Sequence, residues 1–170
     1  MKFIFVDGYN VINSWPNLNK IKDHSYEHAR RDLLNTLQDY SSFKQCKVYL
    51  VYDAHKVKGN IEKQEDIGGV TVVFTKNGET ADSFIEKKVN DIGKKVEVMV
   101  VTSDNLEQQT IFQRGAIRMS SLEFYNHVSI IKEKISKNAK KCMNGNNKNI
   151  LADRLSEDIL VKLENIRRSN

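Results

Sequence analysis

The sequence predicts an α/β fold in which helices cover both faces of a parallel sheet of about five strands. Short apolar segments rich in β-branched and aromatic residues alternate with amphipathic segments about five times along the chain. The first apolar segment, residues 3–6, contains no polar residue, which is typical of a strand buried on both faces. Because strands alternate with helices, we expect parallel pairing through right-handed crossovers.

Five segments predict strands because they are short, mostly apolar and bounded by turn residues. They lie at residues 3–6, 47–53, 70–74, 96–101 and 116–119. After the first, Gly8 follows Asp7 and allows the backbone to turn sharply. The Gly68-Gly69 pair is a turn signal directly before the third.

Helices are predicted where apolar residues recur every three to four positions. These segments lie at about residues 26–41, 82–92, 105–113, 121–137 and 152–168. Ser25 can cap the first of these helices, and Ser120 with Glu123 forms a capping box before the fourth. Residues 11–24, which contain the only proline and the only tryptophan, predict a loop or short helix over the strand ends.

Charge divides the 170 residues into a neutral body and a basic end. Residues 128–170 contain ten Lys and Arg but five Asp and Glu, whereas the rest of the chain contains seventeen of each sign. We expect a folded domain over residues 1–137 and an extension over residues 138–170, consisting of a basic polar loop and an amphipathic helix. A basic extension favours a polyanionic partner, although a solvated helix without a partner has the same composition.

Composition excludes several classes of protein. No apolar run approaches the roughly 20 residues that span a bilayer, and the N-terminus does not resemble a signal peptide, so we expect a cytoplasmic protein without a membrane partner. Cys46 and Cys142 lie far apart, which excludes a disulfide framework or a CxxC metal site as the organising feature. We expect no small-molecule cofactor.

Carboxylates follow the predicted strands at the end where open α/β sheets bind ligands. Asp7, Asp53 and Asp104 end three strands, and Asp82 begins a helix directly after another. Each aspartate taken singly is also a common turn former or helix cap. Together, several adjacent carboxylates repel one another unless a hard cation neutralises them, and oxygen-only ligands favour Mg²⁺ or Mn²⁺. The pattern therefore predicts metal-dependent phosphate or phosphodiester chemistry.

Three short motifs resemble those of the NYN branch of the PIN-like nucleases. They are Asp-Gly-Tyr-Asn at residues 7–10, Glu-Thr-Ala-Asp at residues 79–82 and Thr-Ser-Asp at residues 102–104. More closely, the chain resembles the YacP-like NYN proteins of Gram-positive bacteria, with further similarity at residues 52–59 and 114–124. The resemblance covers about residues 1–135.

The resemblance implies a PIN-like three-layer α/β/α fold and endoribonuclease activity on single-stranded RNA. It also implies association with the ribosome, where this group is understood to cut mRNA. By position, Asp7, Asp82 and Asp104 would be the catalytic, metal-binding acids, and Asn10 would orient a ligand or water. Further candidate metal ligands are Asp53 and Glu79.

Basic and aromatic side chains near these motifs are candidate RNA contacts. Those expected to bind phosphate are Lys56, Lys58, Arg114 and Arg118. Tyr9 and Trp15 are candidates for stacking on a base, with packing inside the protein as the alternative.

The residues also bear on alternatives to the nuclease interpretation. A phosphatase of the haloacid dehalogenase type needs a second Asp two residues after the first, where this chain has Tyr9. A catalytically silent PIN-like domain that binds RNA or the ribosome stays open, because the intact acids alone do not demonstrate cleavage.

Overall fold

Strands and helices alternate along the chain as the sequence predicts. The computed structural model describes residues 2–53, 63–76, 78–93, 96–103 and 116–145. Within these residues the strands are β1 (Lys2–Asp7), β2 (Lys47–Tyr52), β3 (Lys63–Ile67), β4 (Val70–Phe74), β5 (Glu97–Val101) and β6 (Ile117–Met119). The helices are α1 (Gly8–Ser14), α2 (Pro16–Lys22), α3 (Tyr26–Lys44), α4 (Ala81–Ile92) and α5 (Ser121–Gly145). None of these helices is both long and apolar enough to cross a membrane.

The six strands form one sheet in the order β3-β4-β2-β1-β5-β6. Every neighbouring pair is parallel except β3 and β4, which are antiparallel. The predicted α/β fold is therefore confirmed, with one strand more than the five expected. β1 lies between β2 and β5, and its central residues Ile4, Phe5 and Val6 are fully buried, as a strand covered on both faces requires.

β3 was absent from the sequence prediction because none of its first four residues, Lys-Gln-Glu-Asp, is apolar. All five residues of this strand are exposed, and the strand occupies the edge of the sheet. It forms a hairpin with β4 through Gly68 and Gly69, whose φ angles are 57° and 84°. Two consecutive residues with positive φ are the requirement of a type I′ turn, which explains the glycine pair.

The two faces of the sheet bury different residues. On one face α4 packs on the sheet through a cluster that includes Phe84, Ile85 and Val89 of the helix and, from the strands, Phe5, Val51, Val73, Val98 and Val100. The alternate residues of β2, including Leu50 and Tyr52, point to the opposite face, where α3 contacts β2 and β4. Each face of the sheet is therefore covered by helix, as predicted.

Local capping signals fix where the helices begin. The Ser25 hydroxyl accepts a hydrogen bond from the His28 amide at 3.3 Å and caps α3, as predicted. At α5 the Ser120 amide donates to Glu123 Oε2 at 2.8 Å, and the Glu123 amide donates to Ser120 Oγ at 3.2 Å. These bonds confirm the capping box, and the bond from the Ser120 amide holds the pKa of the Glu123 carboxyl below its usual value.

The segment at residues 11–24, predicted as a loop or short helix, contains the end of α1 and the whole of α2, which meet at Trp15. α5 continues to Gly145 instead of ending near residue 137. The chain divides by internal contacts into residues 1–132 and 133–170, and the second unit is described only over the end of α5. The predicted helices at residues 105–113 and 152–168 lie outside the described residues.

Candidate active site

The carboxyl ends of three adjacent parallel strands meet around Asp7. In the register of the sheet, Asp7 of β1 pairs with Val51 of β2, and Val6 pairs with Val101 of β5. Asp53 therefore lies two residues beyond the partner of Asp7 on one side. On the opposite side of β1, Thr102 is the first residue after β5. This edge is where an open α/β sheet binds its ligands.

Asp7 also caps the helix that follows it. Its backbone is extended (φ −71°, ψ 106°), and its Oδ1 accepts a hydrogen bond from the Asn10 amide at 3.0 Å. α1 starts at the next residue, so the chain changes from strand to helix without a loop. The cap fixes the direction of a half-buried carboxylate at the strand end.

Gly8 is required by the close approach of an aromatic ring. A Cβ at this position would lie 2.2 Å from Cε1 of Tyr52, where real Cβ atoms essentially never lie. Gly8 is the first residue of α1, and its φ is not positive. The expectation that this glycine serves a sharp turn is therefore replaced by a packing reason: the Tyr52 ring rests on the backbone beside Asp7.

Ser121, which the sequence interpretation did not select, joins three segments at this edge. Its hydroxyl donates to Asn10 Oδ1 at 2.6 Å, its carbonyl accepts from Trp15 Nε1 at 2.9 Å, and its side chain is fully buried. The Ser121 amide lies 3.4 Å from Ser103 Oγ, to which it donates. The hydroxyl of Ser121 thus holds the side-chain amide of Asn10 in place. The only sequence signal for Ser121 is its place directly after the capping-box serine.

The motif at residues 79–82 lies at the start of α4. Thr80, and not Asp82, caps the helix by accepting the Ser83 amide at 3.2 Å, and Asp82 lies in the first turn, where a negative charge is favourable. The Glu79 carbonyl accepts from Thr75 Oγ1 at 2.7 Å, and the Thr75 amide donates to the Tyr52 carbonyl at 3.0 Å. These bonds tie the motif to the end of β2.

Four of the five predicted metal ligands lie among the described residues, and each of them is half-buried. They are Asp7, Asp53, Glu79 and Asp82. Among the described residues, no three His, Cys, Asp or Glu side chains form a group that could hold a metal ion. Asp104, the remaining predicted ligand, lies outside them. The available donors are carboxylate, amide and hydroxyl oxygens, which suit a hard cation such as Mg²⁺ or Mn²⁺.

Both aromatic residues proposed for base stacking are buried. Tyr9 is 4% exposed, with its ring edge-to-face against Tyr26 and Tyr52 at centroid distances of 5.9 and 5.2 Å. Burial raises the pKa of Tyr9, and Arg30, whose Nη1 donates to the Tyr9 hydroxyl at 3.3 Å, partly opposes that rise. Trp15 is 2% exposed. Neither ring offers a free face, which favours the alternative of packing inside the protein.

Tyr26, whose ring contacts that of Tyr9, is 45% exposed. Sequence reasoning missed it because nothing in its local pattern separates it from a buried tyrosine. Arg118 is exposed on β6. The other candidate RNA contacts, Lys56, Lys58 and Arg114, lie outside the described residues.

Comparison with known proteins identifies relatives over nearly the whole chain. A sequence model of the YacP-like NYN domain matches residues 4–168. The protein YacP of Bacillus subtilis (strain 168) is 38% identical over 171 residues, which span 100% of this chain and 99% of YacP. The crystal structure of Rae1 (YacP) from Bacillus subtilis matches with a TM-score of 0.76 at 38% identity, covering 99% of this chain and 95% of that one. A mutant of the same protein matches with a TM-score of 0.74 at 34% identity, over 90% and 89% of the two chains.

Proposed function

Because this chain belongs to the YacP-like NYN domain family, a family of nuclease-type PIN-like domains, we propose that it is a metal-dependent endoribonuclease acting on single-stranded RNA. The main support for the proposal is the register of β1, β2 and β5. Asp7 at the end of β1 lies beside the ends of β2 and β5, the strands that precede Asp53 and Asp104 in the sequence. Strand ends that converge on acidic residues are the arrangement expected for phosphodiester chemistry with a divalent cation.

The proposed ligands of that cation are the carboxylates of Asp7, Asp82 and Asp104, with Asp53 and Glu79 as further candidates. When bound, Mg²⁺ or Mn²⁺ supplies a water of lowered pKa and neutralises charge on the phosphoryl oxygens. Asp7 contributes a carboxylate whose direction the α1 cap holds, and Asn10 contributes an amide oriented by Ser121. Attack by water in line with the leaving 3′-oxygen gives products with a 5′-phosphate and a 3′-hydroxyl.

We further propose that the substrate is mRNA on the ribosome in the cytoplasm. The support is the family and the excess of basic residues over positions 128–170, since Lys and Arg supply affinity for RNA that does not depend on sequence. Lys56, Lys58, Arg114 and Arg118 are the proposed phosphate contacts. Their role would be to hold the RNA backbone, not to select its sequence.

The proposal is tested by RNA cleavage with wild-type protein, Asp7→Asn and Asp91→Asn. Asparagine caps helices as well as aspartate does, so Asp7→Asn removes the charge and keeps the start of α1. Asp91 is an exposed aspartate near the opposite end of α4 from Asp82 and provides the matched control. Labelled single-stranded RNA and translating ribosomes are each incubated with Mn²⁺ or with EDTA.

Cleavage that requires Mn²⁺, is lost in Asp7→Asn and persists in Asp91→Asn is the expected result. Cleavage confined to ribosomes would indicate that docking controls the chemistry. If neither substrate is cut while wild-type protein and Asp7→Asn both bind ribosomes, the nuclease proposal is wrong. The chain is then a catalytically silent module that binds RNA or the ribosome.

A further inference from the structure

Arg30 of α3 is a half-buried cation whose hydrogen bond, among the described residues, goes to a neutral group. Its Nη1 donates to the Tyr9 hydroxyl at 3.3 Å, and no ion pair joins it to a carboxylate in the part of the chain that the structure describes. A guanidinium has five N–H donors in a planar fork and keeps its charge. An arginine whose partner is a phenol therefore retains both donors and charge for an anion.

The bond to Tyr9 places this cation near the candidate metal ligands. Tyr9 lies two residues after Asp7, and its ring packs edge-to-face on Tyr52 at a centroid distance of 5.2 Å. Burial is the main cause that raises the pKa of both tyrosines. The charge of Arg30 lowers the pKa of Tyr9 and that of Asp53 raises it, while Tyr52 responds in the same opposed way to Arg30 and Asp7. Arg30 thus acts on the same two hydroxyls as two of the candidate ligands.

Arg30 is also accessible from solvent. It lines a cleft of about 220 Å³ beneath α3, to which Glu27, Arg31 and Glu65 contribute as well. The two cations and two carboxylates balance, so the net charge of the cleft does not favour an anion. What distinguishes Arg30 from its exposed neighbour Arg31 is the bond to Tyr9, which restricts the direction of one guanidinium.

We propose that Arg30 binds a backbone phosphate of the RNA, next to the phosphodiester that lies at the acids, and that the Tyr9 hydroxyl holds the guanidinium in position for it. The inference rests on the proposed function. Carboxylates at the edge of the sheet repel the RNA backbone, and a positioned cation beside them offsets that repulsion. The planar fork of a guanidinium matches two oxygens of one phosphate, which the point charge of an ammonium does not.

The test measures RNA binding without cleavage. Labelled single-stranded RNA is titrated in EDTA and followed by fluorescence anisotropy at several salt concentrations, after thermal melting has established that each variant is folded. Arg30→Gln removes the charge and the fork, and Arg30→Lys keeps the charge alone. Arg31→Gln makes the same change at the adjacent exposed residue and is the matched control. Tyr9→Phe leaves every charge in place and removes the acceptor of the Arg30 hydrogen bond.

We expect Arg30→Gln to weaken binding about ten-fold at low salt, the value of about one charge-assisted hydrogen bond. Its slope of log Kd against log salt should be shallower by about 0.7, the contribution of one phosphate contact on a single strand. Arg30→Lys should restore that slope but only part of the affinity. Tyr9→Phe should weaken binding about two- to five-fold with the slope unchanged. Arg31→Gln should bind nearly as the wild type does.

Equal losses in Arg30→Gln and Arg31→Gln, unchanged binding in Arg30→Gln, or wild-type protein that binds no RNA would each overturn the contact. Tyr9→Phe that binds as the wild type does would refute the role of the Tyr9 hydroxyl. Because EDTA removes the metal, binding that depends on Arg30 without any cleavage in Mn²⁺ would refute the nuclease and keep the contact. Cleavage in Mn²⁺ together with unchanged binding by Arg30→Gln would do the reverse.

Discussion

Replacing Gly8 with alanine tests whether the Tyr52 ring dictates the start of α1. Helix propensity alone predicts that Gly8→Ala stabilises the protein by up to about 1 kcal/mol, because alanine is the better helix former. The structure predicts the opposite, since the new Cβ would lie 2.2, 2.7 and 2.8 Å from Cε1, Cδ1 and Cζ of Tyr52. That ring is held between Phe74 and Tyr9 and cannot withdraw easily.

Overpacking of a well-packed core costs about 1–3 kcal/mol, so the net loss in unfolding free energy should be roughly 1–2 kcal/mol. For a chain of this size, that loss lowers the melting temperature by roughly 2–8 °C. The assay is urea denaturation of Gly8→Ala in the wild-type and in the Tyr52→Leu background. Leucine removes the ring atoms that clash, so alanine should there be neutral or stabilising. A Gly8→Ala protein more stable than wild type would refute the packing argument, as would an equal loss in both backgrounds.

Two further perturbations probe the start of α5. Ser121→Ala deprives Asn10 Oδ1 of a buried donor at 2.6 Å and should lower the unfolding free energy, measured by urea titration, by about 1–3 kcal/mol. Ser136 is exposed on the same helix, so Ser136→Ala should change the unfolding free energy little. Equal effects of the two substitutions would contradict the role given to Ser121. Because the pKa of Glu123 is lowered in the folded state, its stabilising contribution is present above the unfolded pKa of about 4.3 and is lost as pH falls through the folded value. The stability difference between wild type and Glu123→Gln should therefore shrink between neutral pH and pH 3, and a difference independent of pH would contradict this assignment.

Features determined by neighbours in sequence were predictable. The apolar strands, the Ser25 cap and the capping box at Ser120 and Glu123 each depend on residues within one or two turns, and all agree with the structure. The alternation of strands and helices was enough to predict parallel pairing of the strands. This pairing brings Asp7 and the segment after β5 to one edge of the sheet, although those residues are about ninety-five positions apart.

Features determined by distant contacts were not predictable. β3 is a strand because its backbone pairs with β4, and its polar side chains give no sign of it. Ser121 bonds to Asn10 and Trp15, more than a hundred residues earlier, so its role is invisible in the local sequence. Tyr9 and Tyr26 are the same residue type, yet the fold buries one and exposes the other.

The structural and catalytic interpretations of Asp7 support each other. Considered alone, an aspartate at a strand end is a common helix cap, and here Asp7 does cap α1. The bond that caps the helix runs from the Asn10 amide to one carboxylate oxygen, Asp7 Oδ1, at 3.0 Å. That bond restricts the rotation of the side chain, so the proposed metal ligand would be oriented before any cation arrives, which lowers the entropy lost on binding. Asp7→Asn therefore separates the two roles: the cap and the fold should survive, whereas metal-dependent cleavage should not.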